Sequence, residues 1–183
     1  MSTSIGLIEM TSIARGIETS DAMLKAGRVE LDFAKPVCPG KFIVMVHGEV
    51  GAVQASVKAG LETGKGVVVN QLVIARVHPA VLPAVNSALD VPDKVAALGV
   101  VEYFDIASAI VGADAAAKAA KISLIEVRLG VGIGGKSFLK LTGQVSDVRS
   151  AVKECVELAK DRGTVVSTCV IPSPNPELFQ EML

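Results

Sequence analysis

Apolar and polar residues along this chain switch between a strand rhythm and a helix rhythm, and the whole sequence of switches occurs twice. Ile5 to Met10 is a short apolar run that reads as a strand. Thr11 or Ser12 can cap a helix, Ile13, Ile17 and Leu24 recur at helical spacing, and Gly27 is placed to stop it. Val29 to Phe33 and Phe42 to Val46 read as two further strands, separated by the loop Lys35-Pro36-Val37-Cys38-Pro39-Gly40-Lys41. Val50, Val53, Val57 and Leu61 form the apolar stripe of a second helix running to about Gly64, and Val67 to Ile74 supplies a last strand. The order is β-α-β-β-α-β.

The pattern then starts again. Leu98-Gly99-Val100-Val101-Glu102 answers Ile5-Gly6-Leu7-Ile8-Glu9, and Asp114 and Lys118 answer Asp21 and Lys25. Val145, Val148, Val152 and Val156 repeat the stripe of the second helix, and Val170-Ile171 followed by Pro176 answers Val73-Ile74 followed by Pro79. Matched Gly, Glu, Asp and Lys positions, in addition to apolar ones, mark an internal duplication. The fold class is α/β, an α+β sandwich in two tandem β-α-β-β-α-β domains, residues 1–90 and 91–183. The joining stretch 79–97 is punctuated by Pro79, Pro83 and Pro92.

Composition narrows the function. Half of the residues are hydrophobic but only 3% are aromatic, and the net charge is −1. Scattered Lys and Arg and scarce aromatics give no footprint for nucleic acid. No apolar run is long enough to span a bilayer, and the N-terminus lacks the pattern of a secretory signal, so a cytoplasmic location is expected. The mean hydropathy of +0.51 points to surface that a partner covers. The cysteines are three, Cys38, Cys155 and Cys169, which argues against a disulfide framework. Cys155 on a helix and Cys169 in an apolar strand read as buried small hydrophobes.

The string Gly130-Val131-Gly132-Ile133-Gly134-Gly135-Lys136-Ser137 fits the phosphate-binding P-loop pattern. That motif needs a helix to begin at its Lys-Ser, and the following residues Phe138 to Gly143 read as a strand. A glycine-rich turn accounts for the string, and nucleotide binding by a soluble regulator stands as the reading from a different class. His47 and His78 form no catalytic pair, and no Ser-His-Asp or HExxH arrangement occurs; the chain does not read as an enzyme.

Asp21-x-x-x-Lys25-Ala26, the short loop ending Gly40-Lys41 and Ile74-Ala75-Arg76-Val77-His78-Pro79 resemble the bacterial microcompartment shell domain. In two copies, the chain resembles a tandem-domain shell protein, closest to the propanediol-utilisation type with a cysteine in its first pore loop. The resemblance implies a homotrimer, a pseudo-hexameric tile that packs edge to edge with other shell proteins around encapsulated enzymes in the cytoplasm. It places Val37, Cys38, Pro39 and Gly40, with Ile133, Gly134 and Gly135 of the second copy, at the central pore. It places Lys25, Arg76, His78 and Lys118 at tile edges. Ser173 and Asn175 replace Arg76 and His78 in the second copy, which puts the edge contacts there in question.

Cys38 acquires its meaning from that arrangement. One thiol cannot hold a metal by itself, but on a threefold axis it becomes three, and soft sulfur ligands suit iron or zinc. By chemistry alone an iron–sulfur site and a plain free thiol lining a pore stand level, with zinc behind. The resemblance favours a 4Fe-4S cluster, one per trimer, serving electron transfer across the shell, to an encapsulated redox enzyme for instance, or cluster delivery. A tile with a metal-free small-molecule pore is the alternative.

Overall fold

The computed structural model describes residues 3–87 and 95–181. Pro92 and the domain boundary expected at residue 90 lie outside the described residues. By its contacts the chain divides into two units, Met1–Val77 and His78–Leu183. The stretch that opens the second unit is tied to it: the His78 N–H donates to Asp114 Oδ1 at 2.8 Å, and the short helix α3 (Val81–Val85) packs on elements of that unit.

The first unit runs β1 (Ser4–Met10), α1 (Ile13–Ala26), β2 (Val29–Val37), β3 (Lys41–Gly48), α2 (Val50–Thr63) and β4 (Val68–Ile74). Its sheet has the order β2-β3-β1-β4, with every neighbouring pair antiparallel. In the second unit, after α3, come β5 (Ala97–Tyr103), α4 (Ile106–Ala119), β6 (Ile122–Leu129), β7 (Ser137–Gly143), α5 (Val145–Ala159), a 3-10 turn (Lys160–Arg162), β8 (Val165–Pro172) and α6 (Pro176–Glu181). Its sheet order, β6-β7-β5-β8, is the same topology. The duplication extends to irregularities: β2 bulges between Leu31 and Phe33, and β6 bulges at the matched place between Leu124 and Glu126.

Caps set the helix starts. Ser12 Oγ accepts from the Arg15 N–H at 3.3 Å, and Asp105 Oδ1 accepts from the Ser108 N–H at 2.8 Å. In the first unit Ile8, Met10, Met23, Phe42, Val44, Val46, Val53 and Val57 form one core between helices and sheet. Gly6 and its repeat Gly99 bring a helix down onto the central strand. A Cβ at Gly6 would stand 2.5 Å from Val57 Cγ2 and 2.9 Å from Val53 Cγ1; at Gly99 it would stand 2.9 Å from Val148 Cγ1. Gly6→Ala is therefore expected to destabilise the chain by about 1–3 kcal/mol through overpacking, read as a lower urea midpoint with unchanged slope.

The structure refines one sequence expectation and overturns another. The stripe Ile13, Ile17, Leu24 does identify a helix, but those side chains are 44%, 60% and 38% exposed. The buried face of α1 is Gly16, Thr19, Ser20 and Met23. The Phe42 ring lies against Gly16, so close that a Cβ there would meet Phe42 Cδ1 at 2.4 Å, and only glycine fits at that point of the face. Cys169, expected to be buried, is exposed. It lies on β8, at the edge of its sheet, opposite Val100, which is itself only half-buried. Cys155 is buried as expected, its thiol donating to Gly112 O at 3.3 Å. Of the second-helix stripe, Val53 and Val57 are core, whereas Val50 at the helix start is 43% exposed.

Candidate functional site

The two glycine-bearing loops occupy equivalent places, β2 to β3 and β6 to β7. In the first, Val37 pairs with Lys41 across the hairpin and Gly40 N–H donates to Val37 O at 3.0 Å, leaving Cys38, Pro39 and Gly40 as its tip. Gly40 has φ +89°, a left-handed conformation that glycine adopts without steric cost, and the Cys38–Pro39 peptide is cis. Val37 is buried, Cys38 half-buried, and Pro39 and Gly40 exposed. The Cys38 thiol thus sits at the apex of a short hairpin, within reach of solvent.

The second loop is longer. Gly130 N–H donates to Lys136 O at 3.1 Å and Lys136 N–H to Ile133 O at 3.3 Å, closing a turn in which Gly130, Gly132, Gly134 and Gly135 all have positive φ. Gly134 is exposed, Ile133 half-buried and Gly135 buried. No thiol occurs in this loop. The strand β7 begins at Ser137, directly after Lys136. No helix N-terminus is present to hold a phosphate, so the P-loop likeness ends at its letters.

The lysine that closes each loop has a structural partner that the sequence did not single out. Lys41 Nζ pairs with Glu9 Oε1 at 2.7 Å, and Lys136 Nζ pairs with Glu102 Oε1. Both glutamates lie on the central strand of their sheet, so each bridge ties the loop base to the strand beside it. The signal was available: Glu and Lys recur together in both copies.

The candidate edge residues divide into pairs. Lys25 closes on Asp21 at 2.5 Å with both side chains largely in solvent, a surface pair worth a few tenths of a kcal/mol. Asp114 is buried and accepts from Lys118 Nζ at 2.6 Å as well as from the His78 N–H, so His78 and Lys118 meet on one carboxylate. Arg76 is exposed with φ +54°, and Ser173, which replaces it in the second copy, has φ +46°. The repeat keeps the left-handed backbone and changes only the side chain. Both histidines are satisfied: His78 Nδ1 accepts from the Ala80 N–H at 3.2 Å, and His47 Nδ1 lies 2.9 Å from Asp32 Oδ1. Burial holds the Asp32 carboxyl above its ordinary range, against the opposing pull of His47.

The repeats differ most in what they leave uncovered. Ile106 and Ile110 on α4 are the counterparts of Ile13 and Ile17 on α1, and both are fully buried. On the sheets the difference reverses. Leu7 and Ile43 have no exposure, while their counterparts Val100 and Phe138 are half-buried around a shallow cleft with Glu102 and Lys140. Among the described residues no group of His, Cys, Asp or Glu within one chain could hold a metal ion.

A family profile for the BMC domain matches residues 4–77 and again 97–174. The bacterial microcompartment shell protein PduT of Citrobacter freundii is 43% identical over 183 residues, spanning 100% of this chain and 99% of that protein. The carboxysome shell protein CcmK2 of Synechococcus elongatus is 40% identical over 82 residues, 43% of this chain and 80% of that protein. A crystal structure of a microcompartment protein from Desulfitobacterium hafniense superposes with a TM-score of 0.92 at 51% identity, covering 98% of this chain and 99% of that one. The fused permuted hexameric shell protein of the RMM microcompartment superposes with a TM-score of 0.62 at 25% identity, over 87% and 84% of the two chains.

Proposed function

The chain belongs to the BMC domain family and is a structural shell protein of a bacterial microcompartment, and from that premise we propose that three copies close into a tile whose centre holds an iron–sulfur cluster on Cys38. The observation that carries the ring is the crossed burial of the repeats. The α1 face that the first unit leaves open is kept buried in the second, and the sheet face that the second leaves half-open is kept buried in the first. A chain with one open face of each kind associates head to tail, and such an interface closes into a ring when the rotation allows. Two matched domains per chain suit three copies, a ring of six domains, in keeping with the hexameric form of the fused RMM protein.

Three chains would bring three Cys38 thiols to the axis, with the cysteine-free second loops between them. The donor set fits the group: each chain sets the Cys38 thiol on a hairpin tip within reach of solvent, and no competing ligand cluster occurs within a chain among the described residues. Three thiolates hold a cubane cluster with one iron left to a non-protein ligand. When bound, the cluster supplies one-electron redox chemistry at the pore, for transfer across the shell to an enzyme inside, or a cluster for delivery. The test is anaerobic reconstitution followed by iron analysis and a visible spectrum. A colourless, iron-free protein overturns the redox reading and leaves a tile with a plain pore.

Edge contacts fall to Lys25 and Arg76, whose side chains lie in solvent where a neighbouring tile can meet them, Lys25 beside its partner Asp21. Lys25→Ala is expected to weaken sheet formation in electron micrographs while the trimer persists. Unchanged sheets would remove Lys25 from the edge.

A further inference from the structure

Each copy of the repeat ends in the same corner, although its letters differ. Arg76 and Ser173 hold left-handed φ of +54° and +46°. Two residues on, His78 Nδ1 accepts from the Ala80 N–H at 3.2 Å, and Asn175 Oδ1 accepts from the Glu177 N–H at 2.9 Å. Pro79 and Pro176 follow, and a short helix begins, α3 after one corner and α6 after the other. An imidazole and an amide thus fill one role, and the turn itself makes no use of the His78 or Asn175 N–H.

Among the described residues only the first corner has a partner for that N–H. The His78 N–H donates to Asp114 Oδ1 at 2.8 Å, while Lys118 takes Asp114 Oδ2, and α3 packs on β6 and α4 of the same unit. The groups at this junction are covered: the Asp114 side chain is 11% exposed, Leu124 on β6 is 3% exposed and Val81 on α3 is fully buried. Their counterparts in the repeat are all open. Asp21 stands one turn past Ile17 as Asp114 stands one turn past Ile110, and its side chain is 63% exposed. Lys25 takes Asp21 Oδ2, and no group among the described residues donates to Oδ1. Leu31 answers Leu124 and is 45% exposed; Leu178 answers Val81 and is 47% exposed. The chain therefore carries one complete junction and the two halves of another: an acceptor half on α1 and β2, and a donor half at Asn175 and α6.

We propose that the second junction forms between copies: the Asn175 N–H of one chain donates to the Asp21 carboxylate of the next, and Leu178 closes over Leu31. The occupant of the open α1 face is thus a named segment of a second copy, recognised by the chemistry that the first junction already displays. The proposal rests on the ring and supplies its lock. A backbone N–H on a carboxylate is a charge-assisted bond, stronger than a neutral one. The assignment also divides Asp21 from its lysine. In the complete junction Lys118 keeps its pair with Asp114 and stays 44% exposed, so the carboxylate serves the seam while the lysine remains available at the tile edge.

The test is sedimentation of the full-length protein over a dilution series. Asp21→Ala should raise the dissociation constant of the trimer about a thousandfold, about tenfold for the charge-assisted bond at each of three seams. Alanine suits an exposed helix position, so the fold is kept. Lys25→Ala breaks the same surface pair but keeps the acceptor, and should leave that constant unmoved. In a Cys38→Ser, Cys169→Ser background, Leu31→Cys together with Leu178→Cys should let a short bismaleimide join two and three chains covalently. A trimer indifferent to Asp21→Ala, an equal loss in Lys25→Ala, or a trimer that the paired cysteines do not cross-link would overturn the junction and leave the ring standing. Unaltered protein that sediments as a monomer would overturn the ring and the junction with it.

Discussion

Replacing Cys38 by serine is expected to abolish the visible absorbance and the iron that the proposed cluster would give the reconstituted protein, while leaving the proposed trimer in place. Unaltered protein should take up about four irons for every three chains. A serine hydroxyl is a hard donor that stays protonated at neutral pH and does not replace a thiolate at iron. The fold does not depend on the thiol: Cys38 is half-buried at a hairpin tip, and the hairpin is closed by backbone bonds and by the Lys41–Glu9 bridge. The exposure of Cys169 makes it the necessary control, because a reachable thiol could gather iron adventitiously. Cys169→Ser should keep both colour and stoichiometry. A Cys38→Ser protein that retains its spectrum, or a Cys169→Ser protein that loses it, would refute the assignment to the axis.

Ile17→Asp should convert the proposed trimer into the folded 18.9 kDa chain in analytical ultracentrifugation. Ile17 is 60% exposed in the single chain, so a carboxylate there costs the monomer little. In the ring the same position would be covered. Losing a buried isoleucine forfeits about 2 kcal/mol per interface, and sealing an unpaired carboxylate from water adds several more. Three interfaces compound the effect. The matched substitution supplies the contrast. Ile110 is fully buried within the chain, so Ile110→Asp should unfold the protein rather than dissociate it. Sedimentation of Ile17→Asp as an intact trimer would remove α1 from the interface and, with it, the crossed-burial basis of the ring.

The same pair of isoleucines marks the limit of what the sequence could tell. A stripe at helical spacing says that a face will be covered; it does not say by what. Ile13 and Ile17 carry the same signal as Ile106 and Ile110, yet only the second pair is buried in the chain. The inward face of α1 was silent because its contacts are made by Gly16, Thr19 and Ser20, which a hydrophobic pattern does not register. Cys169 went astray for a related reason: an apolar run fixes a strand, but whether a face of an edge strand is covered depends on what lies above it.

The sequence alone determined the duplication, the β-α-β-β-α-β order, the two hairpin loops and the failure of the P-loop likeness, because each rests on local periodicity or on residues repeated at a fixed offset. The Lys41–Glu9 and Lys136–Glu102 bridges were half legible, as matched residues without a stated partner. Only the tertiary structure decided which faces stay open. Those depend on groups far apart in the chain: Phe42 against Gly16 in one copy, and the His78 N–H on Asp114 in the other. Packing complementarity is a relation between distant positions, and a single sequence records the residues without the relation.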